Sequence, residues 1–131
     1  MEAHGEFNVV LNGNAIESKL KGSFNDVGFS DYVETVKRNV AKLADLPFVM
    51  MIDNSEFEGG TPEAYVVFEE YSKWISTQHV IAKVYLVSSF VQKEIMLQQT
   101  PELQNQNIEF FKEKSEARDW LAKQLAAYER Q

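Results

Sequence analysis

The chain has 131 residues, carries 20 acidic against 13 basic side chains for a formal charge of −7, and contains no cysteine. That charge repels phosphate backbones and anionic lipid, so no nucleic acid is expected as a partner. The lack of cysteine excludes disulfides, thiolate nucleophiles and cysteine-ligated metal. The length fits one domain spanning 1–131, able to bury about two thirds of its unfolded surface without staples.

Met1-Glu-Ala-His4-Gly-Glu opens the chain without a basic region followed by an apolar run. No segment approaches the ~18 uninterrupted apolar residues of a membrane span. The expectation is a cytoplasmic protein whose first six residues are frayed. From Phe7, two partly alternating runs flank Asn12-Gly13-Asn14, a tight-turn signal, so strands are expected at about 7–11 and 15–22. Phe29, Tyr32, Val33, Val36, Val40 and Leu43 then recur at helical spacing. This helix ends near Asp45, because Leu46 precedes Pro47.

Phe48 to Ile52 is apolar at every position, the pattern of a central strand covered on both faces. A polar loop is expected after it, with Asp53, Asn54 and Ser55, then Gly59-Gly60, then Thr61-Pro62-Glu63. In the last three, Thr caps a helix, Pro takes its first turn and Glu meets the positive dipole end. The helix, about 62–77, is apolar along Ala64, Val67, Phe68, Tyr71, Trp74 and Ile75. Ile81 to Val87 reads as a strand. Ser88 or Ser89 caps a helix over about 90–99, Ile108 to Lys112 is a short strand, and a last helix opens near Ser115 with Trp120 and Leu121 inward. The order β-β-α-β-α-β-α-β-α predicts an α/β fold: a mixed, largely parallel sheet of about five strands with an N-terminal hairpin and four helices.

Ligands in open α/β sheets usually sit at the carboxyl ends of the strands. Asp53, Asn54 and Ser55 occupy that position here and, with Gly59, Gly60 and Thr61, form the candidate ligand- or partner-binding set. Each has a plainer reading. Asp and Asn hydrogen-bond turn backbone, two glycines make a flexible loop, and Thr61 is an N-cap. His79 and His4 lack companions at metal-ligand or triad spacing, and Glu56, Glu58, Glu63, Glu69 and Glu70 read as a solvated acidic face. No catalytic residue, metal or cofactor is expected. Met50, Met51, Phe57, Tyr65, Phe68 and Trp74 are candidates to line an apolar cavity, though such aromatics are usually core. Aromatics in excess on the helices near 26–45 and 61–77 would leave Tyr65, Tyr71 or Trp74 on an exposed patch and favour a homodimer.

The element order, with Ile52-Asp53-Asn54-Ser55 ending a strand and Phe110-Phe111, Glu116-Ala117 and Trp120-Leu121 closing the chain, resembles the SpoIIAA-like fold. This is the fold of STAS domains and of the small STAS/SEC14-type bacterial proteins of unassigned role. The resemblance spans about residues 7–127. It implies a non-catalytic interaction or regulatory module, or a small binder of an apolar or lipid-like ligand, ahead of a carboxylate-based enzyme. Antagonist-type STAS proteins carry a phosphorylatable Ser at the start of the helix after the central strand. The matching stretch here, Gly59-Gly60-Thr61-Pro62-Glu63, offers only Thr61 as a candidate phosphoacceptor.

Overall fold

The computed structural model describes residues 2–131. Five strands, β1 (Glu6–Asn12), β2 (Ala15–Phe24), β3 (Phe48–Gly60), β4 (Val80–Leu86) and β5 (Ile108–Phe111), form one sheet in the spatial order β1-β2-β3-β4-β5. Only β1 and β2 are antiparallel; every other pair is parallel. Four helices connect or follow them: α1 (Asp26–Lys42), α2 (Pro62–Ile75), α3 (Phe90–Gln99) and α4 (Lys114–Glu129), with a 3₁₀ turn at Pro101–Asn105. The expected α/β architecture is the observed one.

The strands after the hairpin are added in one direction across the sheet. Right-handed crossovers that keep advancing the same way place their helices on the same face. Accordingly the larger core packs Phe29, Val36 and Tyr32 of α1 and Phe68 and Ile75 of α2 on Ile16, Leu20, Phe48, Met50, Ile52 and Tyr85 of the sheet, with Met96 of α3. The opposite face has α4 alone, whose Ala117 and Leu121 bury Val49, Met51, Ala82, Val84 and Leu86. Phe48 to Ile52 is thus covered on both sides, as its unbroken apolar run requires.

Local chemistry sets the boundaries. In the hairpin Asn12 pairs with Ala15, so the turn residues are Gly13 and Asn14, with Gly13 at φ +61° supplying the left-handed position. Asn25 caps α1 by accepting from Gly28 N–H at 2.8 Å. Its amide also holds the chain start, accepting from His4 N–H at 2.9 Å and donating to the Glu2 carbonyl at 2.7 Å. Residues 2–5 are therefore docked on the helix cap rather than frayed.

Ala44 and Asp45 take left-handed φ values of 49° and 67° to leave α1 before Pro47. Ser89, not Ser88, caps α3. His79 ties the strand entry to the last helix, its ring nitrogens lying 2.8 Å from the Asp45 carbonyl and 2.9 Å from the Tyr128 hydroxyl.

Candidate functional site

The central strand does not stop at Ile52. It continues to Gly60 because β2 runs beside it as far as Phe24, the two staying paired through register shifts between Lys19 and Lys21 and between Gly22 and Phe24. Asp53 to Gly60 is therefore a strand extension and not a loop, and its alternation distributes the candidate residues to different sides.

Asp53 and Ser55 close on each other. Asp53 Oδ1 accepts from Ser55 N–H at 2.9 Å and from Ser55 Oγ at 2.6 Å, on the exposed side. Nearby Glu56 forms an ion pair with Lys19, which holds the Glu56 carboxyl below, and the Lys19 amine above, their ordinary pKa values through the hydrogen bond and charge they share. Asn54 turns inward and is 4 % exposed. Its carbonyl accepts from Gln92 Nε2 of α3 at 2.6 Å and its Nδ2 lies 3.7 Å from Met96 Sδ, while its Oδ1 has no partner. A lone acceptor facing apolar walls is costly unless something meets it.

Those walls belong to a cavity of about 20 Å³ between the sheet and the helices. Leu20, Phe29, Ile52, Phe57, Tyr65 and Phe68 line it, with Met96 and Thr100 beneath α3. Phe57, Tyr65 and Phe68 are where the cavity expectation put them. Met50 instead lies in the core, Met51 faces α4, and Trp74 stacks obliquely on Tyr71 under the Lys37 ammonium. Burial raises the Tyr65 hydroxyl pKa, and the Gly60 backbone opposes that shift.

Gly59, Gly60 and Thr61 stand apart from this cavity, where β3 enters α2. Gly59 needs its φ of +99°, and Gly60 is pressed against the Phe24 carbonyl, Ala64 and Phe29 so closely that a Cβ would crowd all three at 3.2–3.3 Å. Gly60 is close-packed and both glycines belong to β3, so the pair is not a flexible loop. Thr61 N–H donates to the Phe24 carbonyl at 3.0 Å, and its Oγ1 accepts from Ala64 N–H at 3.2 Å as the cap of α2. The candidate set thus divides: Asn54 lines the apolar cavity under α3, Gly60 and Thr61 line a separate surface cleft beside Asn25 and Glu58, and Asp53 lines another on the α4 side with Met51 and Lys114.

The exposed aromatic patch is not where it was expected. Tyr71 is buried and Tyr65 and Trp74 are half-buried, because α1 and α2 pack aromatic on aromatic through Phe29–Phe68 and Tyr32–Tyr71. The large apolar side chains left in solvent include three on α3: Phe90, Val91 and Ile95, exposed by 53, 68 and 47 %. Among the described residues no three metal-ligating side chains come together, and no helix is long and apolar enough to cross a membrane.

A solved structure from Shewanella loihica PV-4, an uncharacterized DUF3478-family protein with a SpoIIAA-like fold, superposes with a TM-score of 0.67. The match covers 92 % of this chain and 96 % of that one at 15 % identity. The fold of this chain is SpoIIAA-like. At that identity the likeness concerns the path of the backbone and not the residues of a site. No family model matches the chain, and no curated protein does either. Within the SpoIIAA-like frame, the element after β4 is the one whose cover is thinnest: Met96 is the buried residue of α3.

Proposed function

We propose that this SpoIIAA-like chain is a non-catalytic binding module that takes a small apolar ligand beneath α3. The observation that carries the reading is the apolar cavity below that helix, with the unpartnered Asn54 Oδ1 as its single buried acceptor without a hydrogen bond. At about 20 Å³ the closed cavity has room for little more than one water. A ligand with an apolar body and one donor would enter as α3 lifts, its donor meeting Asn54. The helix is suited to lifting, since Met96 is its one fully buried residue and the rest of its hold is partial: Leu97 against the core, the Gln92–Asn54 hydrogen bond and Lys93 over the Phe110 ring.

Titration with cis-parinaric acid, a fluorescent acyl probe, tests this. Saturable one-to-one binding is expected, with affinity lowered at least tenfold by Met96→Trp, which fills the cavity. Absence of saturable binding by this probe and by sterol-like and isoprenoid probes would overturn the reading. Phe90, Val91 and Ile95 support a second reading, a module that engages a protein through the outer face of α3. Recovery of a kinase or another STAS-type protein from the native host, lost on Val91→Glu, would favour it.

A further inference from the structure

The two edges of the sheet are built differently. β5 offers four residues, one of them Glu109, whereas β1 offers seven in unbroken register with β2 and contains neither proline nor lysine. Sheet edges are usually blunted by charge, proline, a bulge or shortness. β1 has Glu6 at its start and otherwise none of these: Phe7 to Ile16 is the longest stretch of this acidic chain without a charged side chain. The neighbouring strands fix where its backbone points. The Asn14 carbonyl accepts from Val49 N–H of β3, so Ala15, Glu17, Lys19 and Lys21 turn their own N–H and C=O groups the other way, toward β1. Register gives those bonds to Asn12, Val10, Asn8 and Glu6. Phe7, Val9 and Leu11 therefore aim their backbone groups past the edge, while their half-buried side chains pack on the larger core. Val10 lies on the opposite face, where α4 sits mainly over β4 and β5, and is 54 % exposed.

We propose that β1 is the contact through which two copies of this chain join, antiparallel about a twofold axis at Val9, into one continuous sheet. A strand laid on itself with Val9 opposite Val9 sets Phe7 against Leu11, Asn8 against Val10 and Glu6 against Asn12. Every outward N–H and C=O of Phe7, Val9 and Leu11 then meets a partner. The pleat is preserved as well: the apolar side chains of both copies stay on the helix-covered face, and the two Val10 side chains become diagonal neighbours on the other. No like charges come opposite each other, which is the condition under which two acidic chains can meet. The occupant is a second copy because this edge is complementary to itself, whereas a basic strand would find only Glu6 along it. A seven-residue strand pair is smaller than the about 1,200–2,000 Å² of a standard interface, so the dimer should be reversible, with a dissociation constant on the order of 10–100 µM.

Sedimentation equilibrium of the full chain from low micromolar to submillimolar concentration tests the dimer, and residue-resolved hydrogen exchange over the same range tests the strand. The mass is expected to rise from the 15.0 kDa of the monomer toward twice that value, and to rise further with added salt, which screens the repulsion between acidic copies. Within β1, protection should grow with concentration at the amides of Phe7, Val9 and Leu11, while those of Asn8 and Val10, bonded to β2, stay protected throughout. Val9→Pro removes an N–H that β2 does not use and should weaken the dimer at least tenfold with an unchanged circular dichroism spectrum. Asn8→Glu provides a second variant safe for the fold, since in the monomer it faces Lys19, whereas in the dimer it sets two carboxylates diagonally across the axis; it too should weaken association. Ile95→Lys, on the exposed face of α3, should leave association unchanged. A chain monomeric at every concentration, a dimer indifferent to both β1 variants, or one lost on Ile95→Lys would overturn the proposal.

Discussion

A methyl group at Gly28 would run into the His4 carbonyl oxygen, so the glycine is held there by the docked chain start and not by any demand of the helix. Gly28→Ala should cost about 1–3 kcal/mol by forcing residues 2–5 off the Asn25 cap. In a chain lacking residues 1–5 the same substitution should stabilise by about 0.5–1 kcal/mol, because alanine is the better helix former. Urea unfolding of the four proteins tests the reversal of sign, and two costs of equal size would show that the contact does not matter. Thr61 poses a different question, since its hydroxyl caps α2 yet remains solvent-exposed. As a cap alone, Thr61→Ala should lose about 0.5–2 kcal/mol and Thr61→Asp should be near neutral, its charge favoured by the helix dipole. Mass spectrometry of protein from the native host that finds stoichiometric phosphate at Thr61 would instead make this residue a switch.

Among the elements, α3 is the one whose stability comes least from its own packing. Hydrogen exchange should find the amides of 90–99 opening faster than those of α1, whose inner face is a continuous row of buried residues, and an acyl probe should slow them. Equal protection of the two helices would rule α3 out as the moving part. The elements themselves could be read from the sequence because their signals are local: the apolar run Phe48–Ile52, the 3–4 spacing from Phe29 to Leu43, and Thr61-Pro62 at a helix start. The length of β3 could not, since Asp53 to Gly60 is polar and glycine-rich and stays extended only through pairing with the far half of β2. The cavity was half legible. Phe57, Tyr65 and Phe68 were nameable as aromatics, but Met96 and Leu20 reach them only through tertiary packing. Burial of Lys83, which is 2 % exposed, had a visible signal, a charge inside Ile81-Ala-Lys-Val-Tyr-Leu, yet a strand's sequence does not say which of its sides lies under a helix.

For the molecule as a whole, burial of Lys83 makes stability depend on pH in a defined window. Its folded pKa of about 7 lies below the ordinary lysine value, so the unfolded chain holds the extra proton between about pH 7 and 10 and stability rises with pH there. Above about pH 10 the trend reverses. Tyr32, raised by burial to about 12 despite its bond to Ser18, Tyr71, raised by burial and by the charges of Tyr32 and Tyr85, and Tyr85, raised by burial and by the charge of Tyr32, then hold protons that the unfolded chain loses. Thermal unfolding should show the protein more stable at pH 9.5 than at pH 7 by about 1–3 kcal/mol, and Lys83→Met should flatten that rise. An unchanged slope in the variant would place the titrating group elsewhere. The one-way order of the strands also governs how quickly a guest can arrive. Open sheets usually make their ligand crevice at a topological switch point, where successive connections part to opposite faces. A sheet wound in a single direction has none, so its apolar cavity is roofed by a helix from the start. Uptake should therefore be gated: in stopped-flow mixing the observed association rate should reach a plateau at high probe concentration, set by how often α3 lifts, and a rate that climbs linearly without limit would mean that the roof already stands open.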